Sequence, residues 1–228
     1  MGEESIVTLD SFTMSSLGAH MIFEDIDEVS SLKTCEFLLK ANMVLDGENP
    51  ITMFINSGGG SVTDGWAIID VMNTSHIEIQ TVAIGLIASM ATLIFTAGTP
   101  GRRIMTPNTA IMTHQFSSAM YGKEHELIAT RKFHDNLSTQ IIQHFLTHSK
   151  MNEKQIRDIL LRESDTWLEP KECLKYGLCD KISNPWEKPA HNMKPVQKPK
   201  ALKAIKAVKT EKATKSKANN VYPFKKAG

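Results

Sequence analysis

Between residues 32 and 43 the apolar side chains recur at Leu32, Cys35, Leu38, Leu39 and Met43, the spacing of one helix face. Residues 47–50 break that pattern, and an apolar run of strand length, Ile51-Thr52-Met53-Phe54-Ile55-Asn56, follows. The segment Ser57-Gly58-Gly59-Gly60-Ser61 then turns the chain into a helix-like stretch over 62–72. Strand, glycine turn and helix form the opening of a βαβ unit, in which bare backbone N–H groups can approach a ligand closely. The same order repeats: residues 77–84 predict a buried strand, Gly85 a turn, and residues 89–97 a short apolar helix. After a turn at 98–101, residues 103–105 and 109–113 predict short strands, the second ending at His114. Residues 123–148 lack Gly and Pro and mix charge with Leu127, Ile128, Phe133, Leu137, Ile141, Ile142 and Phe145, which predicts one long helix. A helix over 152–161, a strand over 165–168 and a helix over 170–176 closed by Gly177 complete an α/β pattern.

At 228 residues the chain suits one domain plus an appendage, and a hydrophobic fraction of 41% supplies a substantial core. The formal net charge of +1 hides an asymmetry. Residues 187–228 carry 12 of the 26 basic and 2 of the 25 acidic side chains, a net of +10, which leaves −9 on the remainder. In that tail Lys200, Lys203, Lys206, Lys209, Lys212 and Lys215 recur every third residue, a period that drifts around a helix and builds no apolar face. The expected organisation is an N-terminal segment over 1–16, a domain over 17–184 and a Lys-rich tail over 185–228. The tail is most simply disordered and solvated, with polyanion contact as its sharper reading. Cys35, Cys173 and Cys179 form no C-x-x-C pair and read as thiols of a reducing compartment. The N-terminus has no basic or apolar signal region. Residues 79–101 carry no charge, but Gln80, Gly85, Ser89, Gly98 and Pro100 make them too polar and broken for a membrane span.

Candidate chemistry lies in three dispersed segments: Ala88-Ser89-Met90, Met112-Thr113-His114-Gln115 and Ser164-Asp165-Thr166-Trp167-Leu168. They offer a nucleophile, a base and an orienting carboxylate. A serine hydroxyl needs an imidazole to take its proton, and the imidazole needs an anion to fix its tautomer. Ser89 at a helix start would lie beside unpaired N–H groups suited to an oxyanion, with Met90 the natural first donor and Gly60 the second. Taken singly, Ser89 reads more simply as a helix cap, His114 as a core histidine and Asp165 as a turn residue, with Glu163 and Asp158 as nearby acids. His144 and His148 have a chelating spacing but lack both the Glu of H-E-x-x-H and a third ligand, so no metal is expected. Gly60 and Gly65 are spaced as in a phosphate loop, but Trp66 stands where Lys is required, and Thr63 spoils a G-x-G-x-x-G pattern. No G-x-S-x-G elbow surrounds Ser89.

Together these segments resemble the Clp protease proteolytic-subunit family. The resemblance rests on Ile55-Asn56-Ser57-Gly58-Gly59-Gly60-Ser61-Val62, Ala88-Ser89-Met90, Met112-Thr113-His114-Gln115, Asp165-Thr166-Trp167-Leu168, and Pro170-Lys171-Glu172-Cys173-Leu174-Lys175-Tyr176-Gly177-Leu178-Cys179-Asp180, in the family's order over roughly residues 17–183. It implies a repeated ββα superhelix, as in Clp and crotonase folds, with a projecting long helix. It also implies a cofactor-free, self-compartmentalised serine endopeptidase of the cytoplasm that cleaves unfolded polypeptides or short peptides. Two stacked heptameric rings and an AAA+ unfoldase are the expected partners. By the same resemblance Ser89, His114 and Asp165 are the triad, Gly60 and Met90 the oxyanion donors, and Gly58, Gly59, Ser61 and Gln115 substrate contacts.

The chain departs from the family pattern at Gly58 and Phe116, which replace prolines. On the surface that receives the unfoldase, Thr52 and Thr74 are polar while Phe54, Val82 and Ile84 are apolar. Rival readings are a phage head-maturation protease acting on scaffold or capsid proteins, an inactive ring scaffold, and a crotonase-like acyl-CoA enzyme. A Ser-Lys protease is disfavoured, since no lysine occurs between Lys40 and Lys123.

Overall fold

The protein is described by a computed structural model over residues 15–183; all but the last two residues of the expected segment 1–16, and the tail 185–228, lie outside the described residues. Among the described residues seven strands form one sheet, with helices in most of the connections between them. Strand β1 spans Ala19–Ile22, β2 Ile51–Ser57 and β3 Ile79–Ala88. Helix α1 covers Glu28–Val44 and α2 Val62–Thr74, each filling the crossover between parallel strands. Both helices are capped as their sequences direct. Asp27 and Ser30 form a reciprocal capping box on α1, and the Ser61 hydroxyl accepts from the Asp64 N–H on α2. β2 alternates buried and half-buried side chains, and Ile51, Met53 and Ile55 on its inner face are fully buried.

β3 organises the site because its two halves have different partners. Thr81–Ala83 pair in parallel with β4 (Arg103–Met105), and Leu86–Ala88 pair in parallel with β5 (Ala110–Thr113). The sheet therefore forks. One branch continues from β4 to β7 (Lys181–Ile182), and the other from β5 to β6 (Thr166–Leu168), the one antiparallel pairing among the described residues.

Gly85, expected to be a turn, lies inside β3 at the fork. Its φ of +68° kinks the strand without ending it, and the Leu86 N–H donates to Asn56 Oδ1 at 3.2 Å where the β2–β3 register shifts. Val82, expected on the outer surface, is buried between Phe54 and Ile104 of the neighbouring strands, while Thr52, Phe54 and Ile84 are half-exposed.

Helix α3 (Met90–Thr96) is buried at all seven positions, which explains its apolar sequence. Gly65 of α2 lets it come close, since a Cβ there would lie 2.3 Å from Met90 Cγ. The uncharged stretch read as non-spanning is thus β3, α3 and their turns, and among the described residues no helix is long and apolar enough to cross a membrane.

The long helix α4 runs over Glu124–His148 and buries Leu137, Ile141, Ile142, His144 and Phe145 in its C-terminal half. The helix expected over 152–161 begins as α5 (Glu153–Gln155) and widens into a π turn at Ile156–Leu160. Helix α6 (Pro170–Tyr176) ends on Gly177 in the left-handed conformation, as its sequence requires.

On the β7 branch, Asp180 accepts from Arg103 Nη2 at 2.6 Å and Nε at 2.9 Å, and from the N–H groups of Gly101 and Arg103. Burial alone would raise this carboxyl; the Arg103 and Gly101 bonds outweigh it and hold the pKa below the ordinary value. Arg103 Nη1 also donates to the His148 carbonyl, tying the end of α4 to the sheet.

Candidate active site

Two ladders bring the three dispersed segments together. In the parallel β3–β5 pairing Ala88 faces Met112, and the Ser89 N–H donates to the Met112 carbonyl at 2.9 Å. Ser89 thereby ends one strand beside the end of its neighbour, where His114 follows Thr113. In the antiparallel β5–β6 pairing Thr113 faces Thr166, so the next step of the same register sets His114 opposite Asp165. Ser89, His114 and Asp165 converge although 25 and 51 residues separate them in sequence.

Ser89 Oγ lies 2.8 Å from His114 Nε2. His114 Nδ1 lies 3.8 Å from Asp165 Oδ1, an ion-pair distance longer than a hydrogen bond. The Asp165 side chain is 57% exposed and that of His114 25%, so the carboxylate sits at the solvent edge of the set. With its proton on Nδ1, facing Asp165, the imidazole presents Nε2 as an acceptor for the Ser89 hydroxyl.

The backbone under the serine is strained. Ser89 has φ 51° and ψ −122°, the one positive φ at a non-glycine among the described residues. The conformation matches the sharp strand-to-helix turn of a nucleophile elbow without that motif's glycines. It points the hydroxyl away from helix capping, and no side-chain cap bond forms at Ser89, so the plain cap reading does not describe it.

Around it the glycine loop divides its roles. The Gly59 carbonyl accepts from the Ile26 N–H at 2.8 Å, and the Ser61 N–H donates to the Ile26 carbonyl at 2.7 Å. The Gly59 N–H donates to Ser57 Oγ at 3.1 Å. This bridge leaves the Gly60 N–H without an acceptor among the described residues, as is the N–H of Met90 at the first position of α3. Gly59 itself presses on the elbow: a Cβ there would lie 2.6 Å from the Ala88 carbonyl, 2.8 Å from Ser89 Cβ and 2.9 Å from the Met90 nitrogen. Gly58 is exposed at the loop's tip, and the Ser61 hydroxyl is occupied in capping α2.

A recess of about 20 Å³ opens beside Ser89, walled by Val62, Met90, Leu93, Phe116 and Phe145 among others. A cleft of about 710 Å³ adjoins it along α4, with Gln115, Phe116, Arg131, His134 and Ile141 in its lining. Gln115 therefore faces the cleft, while its N–H donates to the Arg162 carbonyl at 3.3 Å. Sequence reasoning did not pick out Phe116, Ile141 or Leu161 as site residues. Phe116 stood out only as the residue in a proline's place, and Ile141 only as part of an apolar helix face; the packing that brings them beside Ser89 is a tertiary property.

Two other sequence features resolve structurally. The His144 and His148 rings lie 4.4 Å apart, but His144 is buried with Nε2 2.8 Å from Thr96 Oγ1. Burial raises the thiol pKa of Cys173 and, to about 11, that of Cys179, so both are packing residues.

The model of the Clp protease family matches residues 13–185. The chain is 35% identical over 158 residues to "ATP-dependent Clp protease proteolytic subunit 3" of Streptomyces avermitilis, an alignment that covers 68% of this chain and 69% of that protein. It is 36% identical over 159 residues to "ATP-dependent Clp protease proteolytic subunit 2" of Thermobifida fusca, covering 68% and 75%. A match of 32% identity over 175 residues to subunit 2 of Cutibacterium acnes covers 76% and 81%.

Proposed function

We propose, from the premise that this chain belongs to the Clp protease family, that it is a serine endopeptidase with Ser89 as nucleophile, His114 as general base and Asp165 as the orienting carboxylate. The observation that carries this reading is the 2.8 Å contact of Ser89 Oγ with His114 Nε2 at a strained, helix-starting backbone. As Ser89 Oγ attacks the peptide carbonyl, its proton passes to Nε2. The oxyanion that forms accepts from the free N–H groups of Met90 and Gly60. Collapse expels the amine, which takes the proton back from the imidazolium, and water activated by the same imidazole hydrolyses the acyl-enzyme. Asp165 supports the imidazolium electrostatically from 3.8 Å, and closing by about 1 Å would give it a hydrogen bond to Nδ1. Gly58, Gly59 and Gln115 border the path of an extended substrate.

The relatives' names describe proteolytic subunits of an ATP-dependent protease. For this chain the corresponding assembly is two stacked heptameric rings meeting through α4, fed with unfolded polypeptide by an AAA+ unfoldase in the cytoplasm. Thr52 at the half-exposed face of β2 makes that docking surface more polar than the family's usual one.

Labelling by a fluorophosphonate probe with peptide mapping tests the site. Label should appear on Ser89, vanish in Ser89→Ala and require His114, and peptide hydrolysis by Ser89→Ala should fall about 10⁴-fold or more. Undiminished hydrolysis by Ser89→Ala overturns the assignment.

A further inference from the structure

The loop beside Ser89 runs through Gly58, Gly59 and Gly60, three successive residues with no side chain to restrict the backbone. A donor on such a loop stabilises an oxyanion only if its direction is fixed before the charge develops. Two contacts from outside the glycines fix it. On one edge the Ile26 N–H donates to the Gly59 carbonyl and the Ile26 carbonyl accepts from the Ser61 N–H, so Gly60 sits in an isolated parallel bridge. Every peptide among the described residues is trans, and the Gly60 N–H therefore points away from Ile26, opposite to the carbonyl that Ile26 holds. The peptide before it is held by a single side chain. Ser57 Oγ accepts from the Gly59 N–H at 3.1 Å, and Gly59 is buried. Ser57 is itself 4% exposed, ends β2 and faces Ile87 in the ladder with β3, two residues before Ser89. The hydroxyl thus ties the loop to the strand that carries the nucleophile.

We propose that Ser57 is a positioning residue for peptide hydrolysis: its hydroxyl occupies the Gly59 N–H and holds the Gly58–Gly59 peptide, so that the loop presents the Gly60 N–H to the oxyanion. This role rests on the serine-peptidase reading above and deepens it. Ser57 touches neither substrate nor reacting atoms and acts through the loop. Without its hydroxyl the buried Gly59 N–H loses its acceptor, and the peptide turns to find another, taking the Gly60 N–H out of line. A misdirected donor costs most when the carbonyl oxygen becomes an anion, so the loss falls on kcat and leaves substrate binding nearly untouched.

The test uses the full-length assembled chain and an internally quenched peptide. Fluorophosphonate labelling run to completion counts the competent sites, and kcat is expressed per site. Ser57→Ala should lower that kcat by about 10- to 100-fold, less than the roughly 10²- to 10³-fold lost with an oxyanion donor itself, and change KM by less than about 2-fold. A peptide boronate, whose tetrahedral adduct on Ser89 places an oxygen where the oxyanion forms, should lose affinity by about the same factor as kcat. Ser57→Cys, close to serine in shape but a weaker acceptor, should fall between wild type and Ser57→Ala, and it carries the comparison if Ser57→Ala does not assemble.

Fewer competent sites with kcat per site unchanged would make Ser57 a folding residue and overturn the proposal, as would a raised KM at unchanged kcat or a Ser57→Cys protein with the wild-type kcat. Wild-type protein that takes no label and cuts no peptide removes the peptidase reading itself. Wild-type protein that does both, beside an equally active Ser57→Ala, removes the role of Ser57 alone.

Discussion

Ser89 spends conformational energy to be where it is. A non-glycine at φ 51° and ψ −122° costs on the order of 1–3 kcal/mol, and glycine bears that conformation with little penalty. Ser89→Gly should therefore be about 1 kcal/mol more stable than Ser89→Ala by urea unfolding, with both inactive. Gly59 shows the opposite constraint. At φ +91°, with a Cβ meeting Ala88, Ser89 and Met90 at 2.6–2.9 Å, Gly59→Ala should displace the elbow and lower peptide hydrolysis by about 10²-fold or more, measurable as lost probe labelling. The identities of the three reacting residues were legible because each stood in a short segment with its own neighbours. The strain was not, since nothing around Ser89 in sequence signals an elbow, and it arises only when Gly59 is packed against it. The oxyanion pair could be named from the helix start and the loop, yet only the bridge to Ile26 shows why Gly60, and not Gly59, keeps a free N–H.

Helix α4 was legible in full from its unbroken, mixed-polarity run, and its buried half carries a group that periodicity does not interpret. Burial, together with the neighbouring His148 and Arg103, lowers the pKa of His144 from 6.5 to about 3. In the native protein His144 therefore stays neutral while the unfolded chain binds a proton below pH 6.5. Its contribution to stability is complete above that pH and is lost as pH falls towards about 3, with a slope approaching 1.4 kcal/mol per pH unit, about one proton's worth. His148, lowered by burial and by Arg103, acts in the same direction. Urea midpoints at pH 7 and pH 5 should separate more for the wild type than for His144→Gln, which keeps a polar partner for Thr96 and does not titrate.

The Asp180–Arg103 pair joins the β7 branch to the end of α4, and Asp180→Asn should cost about 3 kcal/mol because it leaves a nearly buried guanidinium uncompensated. Strands β1 and β7 escaped the sequence reading for a simple reason. Ala19–Ile22 and Lys181–Ile182 are too short to show alternation, and their parallel neighbours supply the order they lack. The expected turn at Gly85 failed similarly, because a glycine at a kink and one at a turn have the same local signature.

Over the described domain, helix α1 leaves several large apolar side chains uncovered. Val29, Leu32, Leu39, Met43 and Val44 of α1 are 52–85% exposed, and uncovered apolar side chains gathered on one helix mark an interaction surface. A second copy of the chain in the proposed ring is the occupant that suits it. Leu32→Glu combined with Leu39→Glu should reduce the mass seen by light scattering to that of smaller species and lower peptidase activity with it; an unchanged mass would remove α1 from the subunit contact.

The fork in the sheet also fixes an order in time. The ladder that joins Ser89 to His114 is complete once β5 has been synthesised, but the strand that brings Asp165 opposite the imidazole lies some fifty residues later and pairs through three residues only. A chain leaving the ribosome from its N-terminus thus acquires nucleophile and base first and the carboxylate last. For some fifty residues of its own synthesis, a protein proposed to cut unfolded chains carries a base with no anion behind it, and it gains its full set when nearly all of the folded domain is already made.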